Sequence, residues 1–514
     1  MHKRKMLAYG QTAIIFLLLI YIFAISHHGD SSAGGAISQF AGPWLGGGQR
    51  AQTEAGWPQD SDSKDDALAT PVSPSHVSHA TPVPWETNEV NEVNEDKGNE
   101  EDNGDGTKSD EEGEKKESKE EKEPPKLSAE DRLSKAQTYI RSIMNPDDDS
   151  VSRMYCPPIN SSRYSHLKVS RWALQYKYFI ALDLRECVDL LPRLLGSIIE
   201  AIRFLGPHHT VLSIVEGNSA DGTAEVLQIL RGELAALGTP FFLQASDLNP
   251  KDGDRIGKLA QLRQLAVDPL SNSRNGTARA LGLPGHDLNF DDGATALFIN
   301  DVAICAEDIL ELLHQRVEQG ADMTCAMDWA WDVKGPGDQP AFYDVWVSRG
   351  INGDLFFDIP ADTGSWDHAW TLFPTDPRTR QRLDAHRPFQ AFACWNGAVS
   401  FAARPLLDGK VKFRGAAEGE CFQGEVELFC KDMWWEGYGR VAVVPSVNLE
   451  YVDEKARHIK ERKGYAANWT AVELDPANKV PLAIDWAGPP DKVKCMPTFD
   501  RQSWVAWNES LPLS

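Results

Sequence analysis

The stretch that decides the fold runs from residue 295 to residue 329 and reads TALFINDVAICAEDILELLHQRVEQGADMTCAMDW. Its apolar run Ala296–Ile299 is too short for a free helix and is bounded by polar residues, which predicts a fully buried strand. A helix with acidic residues in its first turn follows, and Gly320 is placed to end it. Another apolar run, Met323–Met327, predicts a second strand. Strand, helix and strand together predict a parallel unit with a right-handed crossover.

A carboxylate stands where each of these two strands is predicted to end. Asp301 follows the first strand, and Asp328 follows the second. In open α/β sheets, ligands bind beyond the carboxyl ends of the strands, so both side chains are candidates for a metal or ligand site. The alternative is that each aspartate only forms a turn, as is common after a strand.

Outward from this unit, the chain alternates between apolar strands and amphipathic helices. Strands are predicted at Tyr178–Leu184, Val211–Val215 and Phe241–Gln244, and a helix follows each of them. This alternation predicts an α/β domain with a parallel or mixed sheet and helices on both faces. Ser128 is placed as the N-cap of the helix that opens the domain. Because the sequence has no GxGxxG after the first strand and no GxxxxGK[ST], the usual dinucleotide and P-loop sites lack their signature.

The loop after the second strand carries two further carboxylates. Glu216 ends the strand, and Asp221 follows within the sequence Gly-Asn-Ser-Ala-Asp-Gly-Thr. Carboxylates on a glycine-bearing loop suit a nucleoside, since they accept hydrogen bonds from ribose hydroxyls and from a base N–H. The alternative is an ordinary turn with a capping aspartate.

The amino terminus predicts the cellular compartment. Three basic residues at positions 3–5 precede a largely apolar stretch, and no Lys or Arg follows until Arg50. This asymmetry predicts that the chain crosses a membrane once with its bulk in a secretory lumen, although a cleaved signal peptide is the alternative. The predicted segments are a cytosolic tail (1–5), a transmembrane signal anchor (6–26), a disordered acidic luminal stalk (27–126) and a luminal catalytic domain (127–514).

The net charge excludes one class of partner. It is −24 and no basic stripe is present, so nucleic acid is excluded as an expected partner.

The cysteines and the glycosylation sequons agree with a secretory lumen. The eight cysteines include no CxxC pair, which predicts disulfides rather than a zinc ribbon, without specifying their pairing. N-glycosylation sequons fit a luminal domain and lie at Asn160, Asn275, Asn468 and Asn508.

Several motifs recur, in this order, in one known family. They are Glu216-Gly-Asn-Ser-Ala-Asp-Gly-Thr, Leu259-Ala-Gln-Leu-Arg, Phe298-Ile-Asn-Asp-Val-Ala-Ile-Cys-Ala-Glu-Asp-Ile-Leu, Phe342-Tyr-Asp-Val-Trp, Cys394-Trp-Asn-Gly, Leu428-Phe-Cys-Lys-Asp-Met-Trp and Gly437-Tyr-Gly-Arg. Together they resemble the fungal capsule-associated mannosyltransferases, the group typified by the cryptococcal α-1,3-mannosyltransferase. The resemblance implies a GT-A-like (Rossmann-like) fold in a single-pass type II Golgi membrane enzyme. It also implies GDP-mannose as donor, a mannose-containing glycan as acceptor, retention of the anomeric configuration and Mn²⁺ as cofactor.

The resemblance assigns donor-binding roles by position. GT-A enzymes hold the donor diphosphate through a metal on an Asp-x-Asp element, and Asn300-Asp301-Val302 stands in its place with one carboxylate rather than two. Asp301 is therefore expected to bind the metal, with Asn300 beside the donor. Arg263 is expected near the phosphates or sugar, where a guanidinium suits the geometry; its alternative is a solvated helix face. Glu216 and Asp221 complete the expected donor site.

The carboxyl-terminal half is expected to supply the acceptor side and the catalytic carboxylate. Asp344, Trp395 and Asn396 are the predicted acceptor-binding residues, although a tryptophan in this Trp-rich region serves a hydrophobic core equally well. In many GT-A enzymes the catalytic carboxylate opens a helix three residues before a leucine. This is the position of Glu425, with Asp432 on the same helix face seven residues later. Glu427 is the alternative to Glu425.

Other functions compete with mannosyl transfer. A glycoside hydrolase also needs paired carboxylates but needs neither a metal nor a nucleotide. A non-catalytic, lectin-like protein would keep the tryptophan-rich groove and tolerate the loss of Asp301. A glycosyltransferase that uses another nucleotide sugar is the third possibility.

Overall fold

The computed structural model describes residues 128–473, 475 and 477–511. Its α-helices, in chain order, are α1 (Ala129–Met144), α2 (Leu191–Leu205), α3 (Thr223–Leu237), α4 (Arg255–Ser271), α5 (Gly276–Leu281), α6 (Ala306–Glu318), α7 (Pro377–Asp384), α8 (Arg404–Leu407), α9 (Glu425–Trp435), α10 (Asp453–Lys463) and α11 (Ala466–Glu473). The predicted opening helix is confirmed, because the Ser128 side chain caps α1 by accepting the N–H of Asp131.

The strands form one ten-stranded sheet and one two-stranded ribbon. They are β1 (Tyr176–Leu184), β2 (Thr210–Glu216), β3 (Phe241–Ala245), β4 (Phe290–Ile299), β5 (Met323–Lys334), β6 (Pro340–Phe342), β7 (Arg349–Gly350), β8 (Phe389–Ala393), β9 (Ala398–Ala402), β10 (Val441–Leu449), β11 (Lys492–Thr498) and β12 (Arg501–Ala506). The large sheet has the order β3-β2-β1-β4-β9-β5-β10-β8-β7, with β6 paired to β5, and β11 and β12 form the ribbon.

The large sheet is mixed, as predicted. Strands β3, β2, β1 and β4 are parallel neighbours, and β10 is parallel to β5. Strand β9 is antiparallel to both β4 and β5. All the parallel strands therefore point their carboxyl ends toward the same edge of the sheet, where ligands bind in open α/β sheets.

Helices cover both faces of the sheet, which confirms that prediction. Along β1, Phe179 and Ala181 belong to one hydrophobic cluster, while Ile180 and Leu182 belong to the other. The first cluster contains apolar residues of α4 and α9, and the second contains those of α1, α2, α3 and α6. Alternate side chains of one strand point to opposite faces, so a strand apolar on both faces is buried between two helical layers.

The central strand–helix–strand unit is confirmed, with one addition. Strands β4 and β5 run in the same direction and α6 connects them, and Gly320 follows the helix with a φ of 57°. However, β9 is inserted between β4 and β5. The prediction that Asp328 ends its strand is wrong, since beyond Asp328 strand β5 leaves β10 and continues to Lys334 against β6.

Three disulfides confirm the prediction from cysteine usage and supply the pairing. They join Cys156 to Cys305, Cys325 to Cys394 and Cys421 to Cys495. The first ties the segment after α1 to the residue that precedes α6. Cys187 and Cys430 are free thiols.

The predicted tail, anchor and stalk (residues 1–126) lie outside the described residues. Among the residues that are described, no helix is both long and apolar enough to cross a bilayer.

Candidate active site at the carboxyl edge of the sheet

Two aspartates lie near each other at the carboxyl edge of the sheet. Asp301 stands two residues after the end of β4, and Asp183 is the next-to-last residue of β1, the parallel neighbour of β4. Burial, followed by the charge of Asp183, raises the pKa of Asp301 to about 6. Both side chains remain partly accessible, so this edge is an electronegative site within reach of a ligand.

Arg263 is the cation at the centre of the site. Its Nε donates to Glu425 Oε1 at 2.8 Å, and its Nη1 lies 3.8 Å from Asp183 Oδ1. The guanidinium carbon also lies 4.9 Å from the ring centroids of both Phe298 and Trp395. Arg263 is only 8% exposed, so the alternative of a solvated helix face is wrong. Its hydrogen bond fixes the Glu425 carboxylate, and its charge lies near that of Asp183.

The structure separates Glu425 from Glu427. Glu425 is the first residue of α9, is 3% exposed, and pairs with Arg263 at the site. Glu427 is fully buried, lies 3.3 Å from Arg349 Nη2, and has a pKa raised to about 8 by burial. Of the two carboxylates, only Glu425 contacts this arginine of the site, which is the position predicted from its offset to Leu428.

A tight turn between β8 and β9 holds the loop that carries Asp301. Asn396 and Gly397 both have positive φ angles, of 54° and 81°, and a Cβ on Gly397 would come within 3.1 Å of Val302. Glycine is thus required for close approach, and the Gly397 carbonyl accepts the Asn300 N–H at 2.9 Å. The amide oxygen of Asn300 accepts from Trp395 Nε1 at 3.1 Å and from Arg263 Nη1 at 3.2 Å.

Two predicted acceptor residues, Trp395 and Asn396, are packed inside the protein. Trp395 is 1% exposed and packs against Phe298, Phe413 and Phe429, so its ring builds the core under the site. Asn396 is fully buried, accepts from the Ser348 hydroxyl and donates to the Ala326 carbonyl. These contacts show that both side chains position the site, and their binding of an acceptor sugar stays a prediction.

Asp344, the third predicted acceptor residue, lies at the site. Its Oδ2 accepts the backbone N–H of Asn396 at 2.7 Å. Burial raises the pKa of Asp344 to about 6. The charge of Arg263 lowers this pKa and the charge of Glu425 raises it. The neighbouring Asp328 is fully buried, its pKa is raised by burial and by Asp344, and it accepts the Tyr451 hydroxyl at 2.8 Å.

The donor atoms at this edge suit a hard divalent cation. Asp301 and Asp183 supply carboxylate oxygens, the ligands that Mg²⁺ and Mn²⁺ prefer. A bound cation would also favour the ionised form of Asp301, whose pKa is raised first by burial and then by the charge of Asp183. Across the described ranges these carboxylates do not form a group of three converging ligands. A cation here would therefore take further oxygens from the phosphates of a ligand, as such ions usually do.

The loop after β2 is a turn whose carboxylates accept backbone N–H groups, as the alternative to a nucleoside site predicted. The Glu216 carboxylate accepts the N–H groups of Asn218 and Ser219, at 3.1 and 2.8 Å. Asp221 accepts the N–H of Thr223 and that of Val188, each at 2.9 Å. Each carboxylate oxygen has two lone pairs, so these caps leave acceptor capacity, and the nucleoside role stays a prediction.

Asp432 does not share the environment of Glu425. Its two oxygens accept from Nε and Nη2 of Arg414, at 2.7 and 2.8 Å. Arg414 also pairs with Glu420, which in turn pairs with Lys431. Asp432 thus belongs to an ion-pair network behind α9, and the prediction of a catalytic role is not supported by its contacts.

Asp183 is a residue of the site for which the sequence motifs predicted no role. An aspartate inside the otherwise apolar strand YFIALDL, one residue before its end, was the available signal. Asp183 comes near Asp301 only because β1 pairs with β4 in the sheet, and the sequences of the two strands do not reveal that pairing.

Comparisons with known proteins agree with the motifs. Residues 177–432, from β1 to the body of α9, match the family described as Cryptococcal mannosyltransferase 1. The chain is also 36% identical, over 348 residues, to "Alpha-1,3-mannosyltransferase CMT1" of Cryptococcus neoformans var. neoformans serotype D; the match covers 65% of this chain and 70% of the relative.

Solved glycosyltransferase structures overlap the chain weakly. Mannosyltransferase PcManGT from Pyrobaculum calidifontis, in complex with GDP-Man and Mn²⁺, aligns at a TM-score of 0.29 and 10% identity, over 68% of this chain and 84% of that one. GalNAc-T7 with UDP, GalNAc and Mn²⁺ aligns at 0.32 and 12% identity, over 64% and 56%. By its sequence matches, this chain belongs to the Cryptococcal mannosyltransferase 1 family.

Proposed function

We propose that the protein transfers mannose from GDP-mannose to a hydroxyl of a mannose-containing glycan, through an α-1,3 linkage and with retention of configuration. One observation carries this proposal: the residues of the matched segment converge on a single electronegative edge around Arg263. Asp183, Asp301 and Glu425 come from three distant parts of the chain and meet there. A GT-A-like arrangement, with donor and metal at the carboxyl edge of the sheet, accounts for that convergence.

Asp301, with Asp183 beside it, would hold Mn²⁺ or another divalent cation together with the donor diphosphate. When bound, such a cation neutralises charge that develops on the departing diphosphate. Arg263 holds Glu425 and Asn300 in fixed orientations through its hydrogen bonds at 2.8 and 3.2 Å. Because these contacts exist before any ligand arrives, the site is preorganised, which lowers the cost of reaching the transition state.

Glu425 and Asp344 would divide the chemistry at the sugar. The Glu425 carboxylate, fixed by Arg263, stabilises positive charge on the sugar as the bond to the diphosphate weakens. Asp344 accepts the proton of the acceptor hydroxyl, since a carboxylate with a pKa of about 6 is basic enough to do so and ionised at neutral pH.

A transfer assay tests the proposal directly. The purified full-length chain is incubated with labelled GDP-mannose, Mn²⁺ and a mannose-containing oligosaccharide, and the labelled product is separated and its linkage determined. We expect mannosylated product from the wild type, and none after chelation or in the Asp301→Asn variant. Asp376→Asn, a change at a helix cap unconnected to the site, serves as the matched control and should transfer normally.

The competing functions give different results in the same assay. Transfer from another nucleotide sugar but not from GDP-mannose would overturn the proposed donor. Release of sugar from the oligosaccharide without any nucleotide would indicate a glycoside hydrolase. Glycan binding that persists in Asp301→Asn, with no transfer by the wild type, would indicate a lectin-like protein.

We further propose that the enzyme is a single-pass type II Golgi membrane protein. Its sequon asparagines Asn160, Asn275 and Asn468 are exposed, as an acceptor of N-linked glycan must be. Expressed in a eukaryotic secretory pathway, the protein should gain mobility on a gel after glycosidase treatment. Unchanged mobility would argue against a luminal domain.

A further inference from the structure

A cluster of potential metal ligands lies outside the proposed active site, against helix α6. His314 and Glu318 are four residues apart on α6 and therefore project from the same side of it. His166 belongs to a short 3₁₀ turn, Ser165–Leu167, that packs against this helix. The ligand atoms of the three residues all lie within 4.8 Å of one another.

We propose that His166, His314 and Glu318 form a zinc-binding site that ties the segment between α1 and β1 to helix α6. The proposal does not depend on the proposed transferase activity. Two imidazoles and a carboxylate are a common ligand set for Zn²⁺, with a fourth position left for water. His166 and Glu318 are exposed, so solvent can supply that water and the ion can enter.

The distance between the two imidazole nitrogens matches that of two ligands on one zinc ion. His314 Nδ1 and His166 Nε2 are 3.4 Å apart, within hydrogen-bond distance when one of the rings donates. Two nitrogens bound to one tetrahedral zinc at the usual bond length are about 3.3 Å apart. The pair is therefore spaced as two ligands of one ion would be.

The charge of the surroundings permits a cation. Arg163 is the positive charge that acts on His314. The Arg163 charge is itself balanced by ion pairs with Glu311 and Glu473, at 2.8 and 2.6 Å. Imidazole ligands favour Zn²⁺ over Mn²⁺, so this site and the oxygen-rich sheet edge select different ions.

Zinc titration of the full-length protein tests the site. The metal-free wild type should bind one equivalent of Zn²⁺ by calorimetry, and His166→Ala and Glu318→Gln should each weaken binding at least about tenfold. Both changed residues are exposed, so the variants should fold. His368→Ala removes an exposed histidine elsewhere and should bind zinc like the wild type. Asp301→Asn should also retain this zinc.

Substitution by Co²⁺ supplies an independent signature. Tetrahedral Co²⁺ absorbs in the visible range, and that absorption should appear in the wild type and be lost in His166→Ala. If both cluster variants bind zinc as tightly as the wild type, the proposal is wrong. It is equally wrong if Asp301→Asn alone loses the zinc, because the ion would then sit at the sheet edge.

Discussion

At the scale of single residues, the site depends on a charged guanidinium held where water hardly reaches. Removing Arg263 from water is costly unless the charge is paired and hydrogen-bonded. Glu425, Asn300 and the faces of Phe298 and Trp395 provide that compensation. A guanidinium can bond in several directions within one plane while it stacks on aromatic rings, which an ammonium cannot do. Arg263 thus fixes the carboxylates that the proposed chemistry needs.

Glu425 and Glu427 allow a matched test, because they are neighbours on one helix with different surroundings. We expect Glu425→Gln to reduce turnover on the order of a hundredfold or more, since its charge acts mainly in the transition state. Metal-dependent GDP binding should stay near normal. Glu427→Gln should retain turnover, because that carboxyl is buried against Arg349 and any effect will appear in the melting temperature. Steady-state kinetics, GDP titrations and melting curves check both variants.

The reverse result would be decisive. Normal turnover in Glu425→Gln together with inactive, folded Glu427→Gln would mean that the catalytic carboxylate has been assigned to the wrong residue.

The raised pKa of Asp301 predicts that this proposed metal ligand destabilises the metal-free protein at neutral pH. The folded-state pKa of about 6 is above the unfolded value, so in the metal-free protein this group lowers the free energy of unfolding as pH rises from about 4 toward 6. Asp301→Asn should therefore stabilise the metal-free protein at pH 7.5, on the order of 1 kcal/mol, and the gain should shrink toward pH 4. Urea unfolding in the presence of a chelator measures both values.

Added Mn²⁺ should reverse this order at pH 7.5. Mn²⁺ with GDP should raise the unfolding free energy of the wild type and leave Asp301→Asn unchanged. A variant that is stabilised by Mn²⁺ and GDP as much as the wild type would show that Asp301 does not bind the metal.

At the scale of elements, the loop after β2 offers a test that separates a capping role from a binding role. Asp221 precedes the N-cap Gly222 of α3 and accepts the N–H of Thr223, while Asp376 is itself the N-cap of α7 and accepts the N–H of Thr379. Asp221→Ala and Asp376→Ala should each cost about 0.5 to 2 kcal/mol of stability. If the loop also binds the nucleoside, only Asp221→Ala should weaken GDP binding, by about tenfold.

Glycan binding provides the comparison within each variant. Asp221→Ala should leave the affinity for the acceptor oligosaccharide unchanged. Equal losses of GDP affinity in the two variants, or none in either, would assign this loop a purely structural role.

The elements also show what the sequence could and could not predict. Strands β1 to β5 and helices α2, α3, α4 and α6 were predicted because a buried strand and an amphipathic helix each impose a local period. The insertion of β9 between β4 and β5 could not be predicted, since strand order is set by contacts distant along the chain. The burial of Arg263 was missed for the same reason, because its partner Glu425 lies 162 residues away.

At the scale of the whole molecule, each disulfide has one end close to a residue of the proposed site. Cys305 follows Asp301 by four residues, Cys394 adjoins Trp395, and Cys421 precedes Glu425 by four residues. The other ends lie far along the chain, at separations of 149, 69 and 74 residues. The bridges therefore connect the segments that carry the site to remote parts of the domain.

This arrangement predicts that two bridges have separable effects on the site. Removing the first pair, as Cys156→Ser with Cys305→Ser, frees the loop that follows Asp301 and should weaken Mn²⁺-dependent GDP binding. Removing the third pair, as Cys421→Ser with Cys495→Ser, frees the approach to α9 and should lower turnover while GDP binding persists. Each double variant should also lose about 2 to 5 kcal/mol of stability. GDP titrations and turnover, measured well below both melting temperatures, distinguish the two.

The two double variants act as controls for each other, because both remove a long-range bridge and neither removes a charged group. The entropy of closing their loops differs by only about 0.6 kcal/mol for a doubling of length, so a general loss of stability would affect them nearly alike. If both variants lose GDP binding and turnover in the same proportion, the bridges support only the fold. If the first variant loses GDP affinity and the second loses turnover, the bridges hold Asp301 and Glu425 in place separately.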